Sequence, residues 1–285
     1  MTARDNSARF AAPIPNDQSE PEEENQDVAS IPGGLHFVAP TELVEIPSKG
    51  LLYKEGHPLH NQEEIEIRLM TAKEEDILVN KSLLKKGVAL DRMLQAILVN
   101  KRIKLDDLLV SDKNALIIAA RTSAYGADYK ARFNCPSCNL ANEYTFDLED
   151  KEINYLYEHG REDVRTAENG NFLITLPRTE VEIEFRLLRG ADEKRLIEKN
   201  KKNKGIIPLT DQFKSFIVAV NGVTDSSLVS QFIDVMPAYD SKFLRLTYAE
   251  VIPSVDLKQY FECSECDHSQ DMEVPFTVEF FWPRS

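Results

Sequence analysis

The chain has 285 residues, 42% of them hydrophobic, with a formal net charge of −14 and a pI near 4.9. That length suits one large or two medium units with a real core. The acidic balance argues against nucleic acid, whose phosphates it repels, and against an anionic membrane leaflet. The opening MTARDNSARF has no apolar run, and no stretch approaches the roughly 20 apolar residues of a membrane span, so thiols kept reduced in a cytosol are expected.

Residues 1–36 read as a disordered acidic arm. They hold Asp5, Asp17, Glu20, Glu22, Glu23, Glu24 and Asp27 against Arg4 and Arg9, with few apolar residues, too few to offset the entropy of ordering the chain. A first αβ module is expected over 37–150. ELVEIPSKGLLY (42–53) predicts a short strand, a turn at Pro47-Ser48-Lys49-Gly50 and an apolar return. In IEIRLM (65–70), Ile65, Ile67 and Leu69 alternate, as on a strand. Thr71, three residues before Glu74, has capping-box spacing for a helix. Residues 83–100 predict more helix, broken near Gly87, and Asp112 is a candidate cap for a helix ending at Gly126. Strands are expected on both sides of CPSC (135–138).

A second module is expected over 151–285. Residues 148–163 suggest a short helix with a loop. NFLITLP and TEVEIEFRLL suggest a hairpin that turns Val181, Ile183, Phe185 and Leu187 to one side and Glu182, Glu184 and Arg186 to the other. KNKKNKG (199–205) reads as a solvated basic run, an exposed loop or a helix end. FIVAVNG (216–222) reads as an apolar helical run, and a strand is expected after CSEC (263–266), into FTVEFFW. Phe280, Phe281 and Trp282 suit a core or an interface, a core being the favoured reading.

The two modules resemble each other. IEIRLMTAKEEDIL (65–78) aligns without a gap on IEFRLLRGADEKRL (183–196). DKNALIIAARTSAYGADYKARFNCPSC (112–138) aligns without a gap on DSKFLRLTYAEVIPSVDLKQYFECSEC (240–266). The expected fold is α+β, an internal duplication of a strand–helices–cysteine-knuckle unit.

This pattern places the chain's four cysteines at matching positions, two in each copy. One CxxC supplies two thiolates, and a structural zinc takes four in a tetrahedron. Cys135, Cys138, Cys263 and Cys266 are therefore the expected ligands of one shared, zinc-ribbon-like Zn2+ site that joins the halves. Redox chemistry fits less well, because a redox CxxC opens a helix and these lead into strands. Inert thiols are the remaining alternative. No Gly-rich phosphate loop, HExxH or GxSxG occurs, and His36, His57, His60, His159 and His268 form no motif. No catalytic or cofactor-binding residue and no small-molecule substrate is therefore expected.

VEIPSKGLLY (44–53), RLMTAKEEDIL (68–78) and TSAYGADYKARFNCPSC (122–138) together resemble the baseplate hub proteins of T4-like contractile-tailed phages. The resemblance spans 44 to about 150 and is weaker beyond. It implies a non-enzymatic structural or hub-assembly protein whose partners are other phage baseplate and tail hub proteins. It would act in the host cytoplasm during assembly or in the virion tail baseplate. The residues that carry over are Pro47, Ser48 and Gly50 of the turn, and Cys135 and Cys138. The competing reading is a zinc-ribbon regulatory or nucleic-acid-associated factor, which the acids around the second knuckle (Glu262, Glu265, Asp267) disfavour.

Overall fold

The computed structural model describes residues 28–31, 35–38, 40–157, 161–202, 207–274 and 278–281. The chain divides into two compact units, Met1–Ala39 and Pro40–Ser285. In the first unit, β1 (Val28–Ile31) and β2 (Leu35–Val38) form an antiparallel hairpin with Val28 opposite Val38. This part of the expected acidic arm is therefore paired. Residues 1–27 lie outside the described residues.

The second unit is α+β, with antiparallel sheets and eight helices among the described residues. β3 (Thr41–Glu45) pairs with β4 (Glu64–Arg68), Val44 opposite Ile65. The segment between them makes successive tight turns instead of an apolar return strand, and buries Tyr53 and Leu59. Three helices follow: α1 (Ala72–Val79), α2 (Lys81–Lys86) and α3 (Ala89–Ile97). The Glu74 carboxylate accepts the Thr71 N–H at 3.1 Å, as the capping spacing predicts, and Gly87 ends α2 at φ 72°. After α3 the chain returns to β4, where Leu98 bridges Ile67.

The long helix α4 (Val110–Tyr125) starts earlier than expected, with Leu109 as its N-cap residue. Asp112 is not the cap. It lies inside the first turn, and its carboxylate is taken up by Ser48 and Tyr53. β5 (Asp128–Asn134) and β6 (Ala141–Asp147) flank CPSC.

Residues 148–157 contain no helix. They form β7 (Glu152–Asn154), which pairs with β12 (Ser254–Asp256). The next sheet runs β8 (Arg165–Thr166), β9 (Phe172–Thr175), β10 (Glu182–Phe185) and β11 (Ile217–Val220). β9 and β10 are the expected hairpin, with Ile183 opposite Ile174. β11 replaces the helical run expected at FIVAVNG: α6 (Leu209–Phe216) stops at Phe216, and the β-branched Ile217, Val218 and Val220 continue as strand. α5 (Gly190–Lys202) runs into the basic stretch, so the helix end is the one of the two expected forms found there. α7 (Ser226–Val235) and α8 (Ala238–Val251) lead to β13 (Lys258–Glu262) and β14 (Ser269–Glu273) around CSEC. Val278–Phe281 is a 3-10 turn, not strand.

Two distant parts of the chain make similar contacts. Arg68 forks onto Glu74 at 2.9 and 2.7 Å, and Arg186 forks onto Asp192 at 2.7 and 2.8 Å. Both acids also accept a backbone N–H at the start of their helix, from Thr71 and Arg189. One apolar core runs through both halves, from Ile46, Leu94 and Leu116 to Ile174, Phe185 and Leu244. Backbone bonds from Val110 to Leu188 and from Gly190 to Leu108 tie the halves together. A Cβ at Gly190 would lie 2.2 Å from the Leu105 carbonyl oxygen, so only glycine fits there. The buried Lys113 ammonium adds a cross-link, to Asp91 at 2.6 Å and Glu193 at 2.7 Å.

Candidate metal centre

Each cysteine pair occupies a tight turn between two antiparallel strands. In the first, Cys135 N–H donates to the Leu140 carbonyl at 2.9 Å. In the second, Cys263 N–H donates to the His268 carbonyl at 2.9 Å. Asn139 and Asp267 take positive φ (57° and 52°) at the same place in each turn, a conformation that short polar side chains tolerate. The strand registers agree too, with Phe133 opposite Asn142 and Phe261 opposite Gln270.

Side chains then hold hairpin to hairpin. Phe133 meets Phe261 edge-on at 4.8 Å, and the Tyr144 hydroxyl donates to the Tyr260 carbonyl at 2.9 Å. The Gln259 amide caps the end of β6, accepting the Asp147 N–H at 3.0 Å and donating to the Asp147 carbonyl. These contacts bring the cysteines of both halves together. Their four sulfurs lie within 4.8 Å of one another, with Cys135 Sγ 3.8 Å from Cys266 Sγ and Cys138 Sγ 3.8 Å from Cys263 Sγ.

That geometry fits a metal. Thiolates about 2.3 Å from a zinc ion stand about 3.8 Å apart along the edges of a tetrahedron. Cys135 and Cys263 are buried and Cys266 is exposed, so the cluster sits at the rim of the protein. Polar hydrogens point at the sulfurs, as around a thiolate site: Ser137 N–H at 3.4 Å from Cys135 Sγ, and the Asn142 amide at 3.6 Å from Cys263 Sγ. The backbone N–H of Glu265 helps pull the Cys263 thiol down to about 6. Cys138 has a backbone N–H from Leu140, but burial and the neighbouring sulfurs push it up to about 12. Neither CxxC opens a helix, the setting that activates redox cysteines.

The turn residues Pro47, Ser48 and Gly50 lie in a different place, around Asp112. Ser48 donates its N–H (3.1 Å) and hydroxyl (2.6 Å) to this buried carboxylate, and Tyr53 donates its hydroxyl at 2.7 Å. Burial pushes the Asp112 carboxyl up, and these donors counter it. The Pro-Ser-Lys-Gly-x-x-Tyr pattern is thus an internal lock on α4. His57 stacks on Tyr53 at 4.6 Å, and His60 bonds the Tyr53 carbonyl at 2.7 Å, so both serve this turn.

Sequence reasoning did not single out Arg121. It is fully buried and donates to the carbonyls of Phe280 (2.6 Å), Gly126 (2.8 Å) and Asp128 (3.0 Å), pinning the C-terminal turn to α4. An arginine in an otherwise apolar helix run was its only signal. Phe280 and Phe281 are buried, as expected of core residues, and Trp282 lies outside the described residues.

No curated protein and no solved structure matches the chain. A family model, T4 bacteriophage base plate protein, matches residues 44–282, from β3 through both cysteine turns to the end of the C-terminal 3-10 turn. The chain therefore belongs to the T4 bacteriophage base plate protein family.

Proposed function

We propose that this protein is a non-enzymatic structural or assembly component of the central hub of a contractile phage tail baseplate, held rigid by one structural zinc ion. The family match over 44–282 carries the baseplate assignment. The convergence of four sulfurs from two distant parts of the chain supports the metal. Cys135, Cys138, Cys263 and Cys266 would hold it. Bound there, a zinc ion supplies cross-linking and leaves no open position for chemistry. The body is built from two copies of one unit, a reading supported by the paired Arg68–Glu74 and Arg186–Asp192 forks and by the equal registers of the two knuckles. On this reading the modules span 37–150 and 151–285.

Its partners are other baseplate and tail hub proteins, met in the host cytoplasm during assembly. Affinity purification from infected cells, followed by mass spectrometry, tests this. Co-purification with tail proteins is the expected result, and absence from every assembly intermediate contradicts it. Peptide counts in mature particles then separate a permanent virion part from a transient assembly factor.

A further inference from the structure

Among the described residues, β3 is paired on one side only. Ile46 N–H bonds the Glu63 carbonyl and Leu69 N–H bonds the Pro40 carbonyl, so Glu42 and Val44 face β4. By the antiparallel alternation, Thr41, Leu43 and Glu45 turn their backbone groups away from it. Among the described residues no strand pairs with that outer edge, and the Leu43 side chain is 65% exposed. Beside the edge lies a groove of about 460 Å³, floored by Ala115, Ala119 and Thr122 of α4 and lined further by Glu149 and Ile153. Glu42 Oε1 and Thr122 Oγ1, at its wall, are buried with no hydrogen-bond partner among the described residues.

The matching place in the second half is filled. There the outer edge of β9 carries β8, with Arg165 opposite Leu173. The residues leading into β8 lie over α8: Arg161 pairs with Glu250 at 2.9 Å and stands 5.1 Å from the Phe243 ring. Only about 40 Å³ remains open beside Val164, Thr166 and Phe172. In the gapless alignment, Ala115 stands where the second half has Phe243, and Thr122 where it has Glu250. The first half thus has the corresponding edge and a roomier floor, with no covering strand among the described residues.

We propose that this groove is a strand-docking site, where an extended segment of a partner protein pairs antiparallel with β3 as β8 pairs with β9. Backbone bonds to Leu43 and Glu45 supply affinity, and alternate side chains supply specificity. The occupant alternates β-branched and basic residues. Its apolar side chains turn toward the Ala115 and Ala119 floor and its basic ones to the opposite face, that of Glu45, in a lining where Glu42, Glu45 and Glu149 stand against the one cation Lys151. The proposal rests on the correspondence between the halves. It depends neither on the zinc nor on the hub assignment, so its failure leaves both standing.

The test uses the intact protein and a fluorescein-labelled peptide alternating valine with arginine, read by anisotropy, with glutamate replacing arginine in a control peptide. The valine–arginine peptide is expected to bind saturably, and the control is not. Leu43→Pro removes an outward-facing N–H without touching the β3–β4 ladder; it should weaken binding about tenfold. Ala119→Trp, which fills the floor, should do the same. Should either variant fail to fold, hydrogen exchange on the unaltered protein decides, since peptide should protect the Leu43 and Glu45 amides. Three results overturn the proposal: no saturable binding up to about 1 mM peptide; equal binding to both folded variants; or protection of these amides that rises with protein concentration alone, which gives the edge to a second copy.

Discussion

Asp112 and Asp240 are held alike: each is fully buried in the first turn of its helix, α4 or α8, and each accepts three hydrogen bonds from a proline-led turn earlier in the chain. For Asp112 the donors are Ser48 N–H, Ser48 hydroxyl and Tyr53 hydroxyl. For Asp240 they are Arg178 N–H (2.9 Å), Thr179 N–H (3.1 Å) and Thr179 hydroxyl (2.8 Å). The helix N-terminus favours both carboxylates, and each turn is thereby fastened to the helix that leads to its cysteine knuckle.

Removing one donor should loosen one lock. Tyr53 also accepts the Leu109 N–H at 3.0 Å, so Tyr53→Phe leaves both that group and an Asp112 oxygen short of a partner. We expect a loss of about 1–3 kcal/mol, read as a lower urea midpoint with an unchanged slope. Thr179→Val should cost about 1 kcal/mol at the second lock. A Tyr53→Phe midpoint equal to that of the unaltered chain contradicts the lock.

Gly50 permits the first of these turns. It sits at φ 70°, and a Cβ there would lie 2.4 Å from both Gln62 N and the Leu59 carbonyl oxygen. Backbone cannot yield as a side-chain tip can. Gly50→Ala should therefore destabilise by more than the roughly 1 kcal/mol of conformational preference alone, with loss of near-UV dichroism around Tyr53 as the local readout.

Acid should weaken the Arg–acid forks. Burial alone would raise the Glu74 carboxyl, but the Arg68 fork and Thr71 outweigh it and hold it down, from 4.5 to about 2. Asp192, under Arg186, also lies below its ordinary range. A carboxyl depressed by folding stabilises fully above its unfolded value, and that contribution is lost as pH falls through its folded value. Tm should therefore drop from about pH 4.5 toward pH 2. Glu74→Gln should show a lower Tm at neutral pH and a flatter acid limb. An acid limb of unchanged steepness in the variant contradicts this assignment.

Arg121 should govern the C-terminal turn. Arg121→Met keeps the volume and leaves the carbonyls of Phe280, Gly126 and Asp128 without their donor. We expect a cost of about 2–4 kcal/mol, and faster proteolytic clipping near 278–281 than elsewhere. Uniform clipping along the chain contradicts a local role.

Much of this was legible where a local pattern had one physical solution. The alternation of Ile65 and Ile67 and of Ile183 and Phe185 marked strands, and the spacing of Thr71 and Glu74 marked a helix start. The four thiols were matched by alignment alone. What failed depended on tertiary partners. Asp112 looks like a cap until Ser48 and Tyr53, far away in sequence, are seen to take its carboxylate. Residues 152–154 form strand because β12 pairs with them, and Ile217–Val220 because β10 does. Arg121 was missed because its partners are backbone carbonyls, which leave no mark in sequence.

We expect four cysteines from two distant parts of the chain to grip one zinc ion. Elemental analysis of the intact protein purified without chelator tests it most directly, alongside Cys263→Ser. The account predicts close to one zinc per chain, depleted in the variant, and a Tm that falls when chelator strips the metal and returns when zinc is restored. A folded chain that carries no zinc, presents four titratable thiols and melts at the same temperature with and without chelator would contradict it.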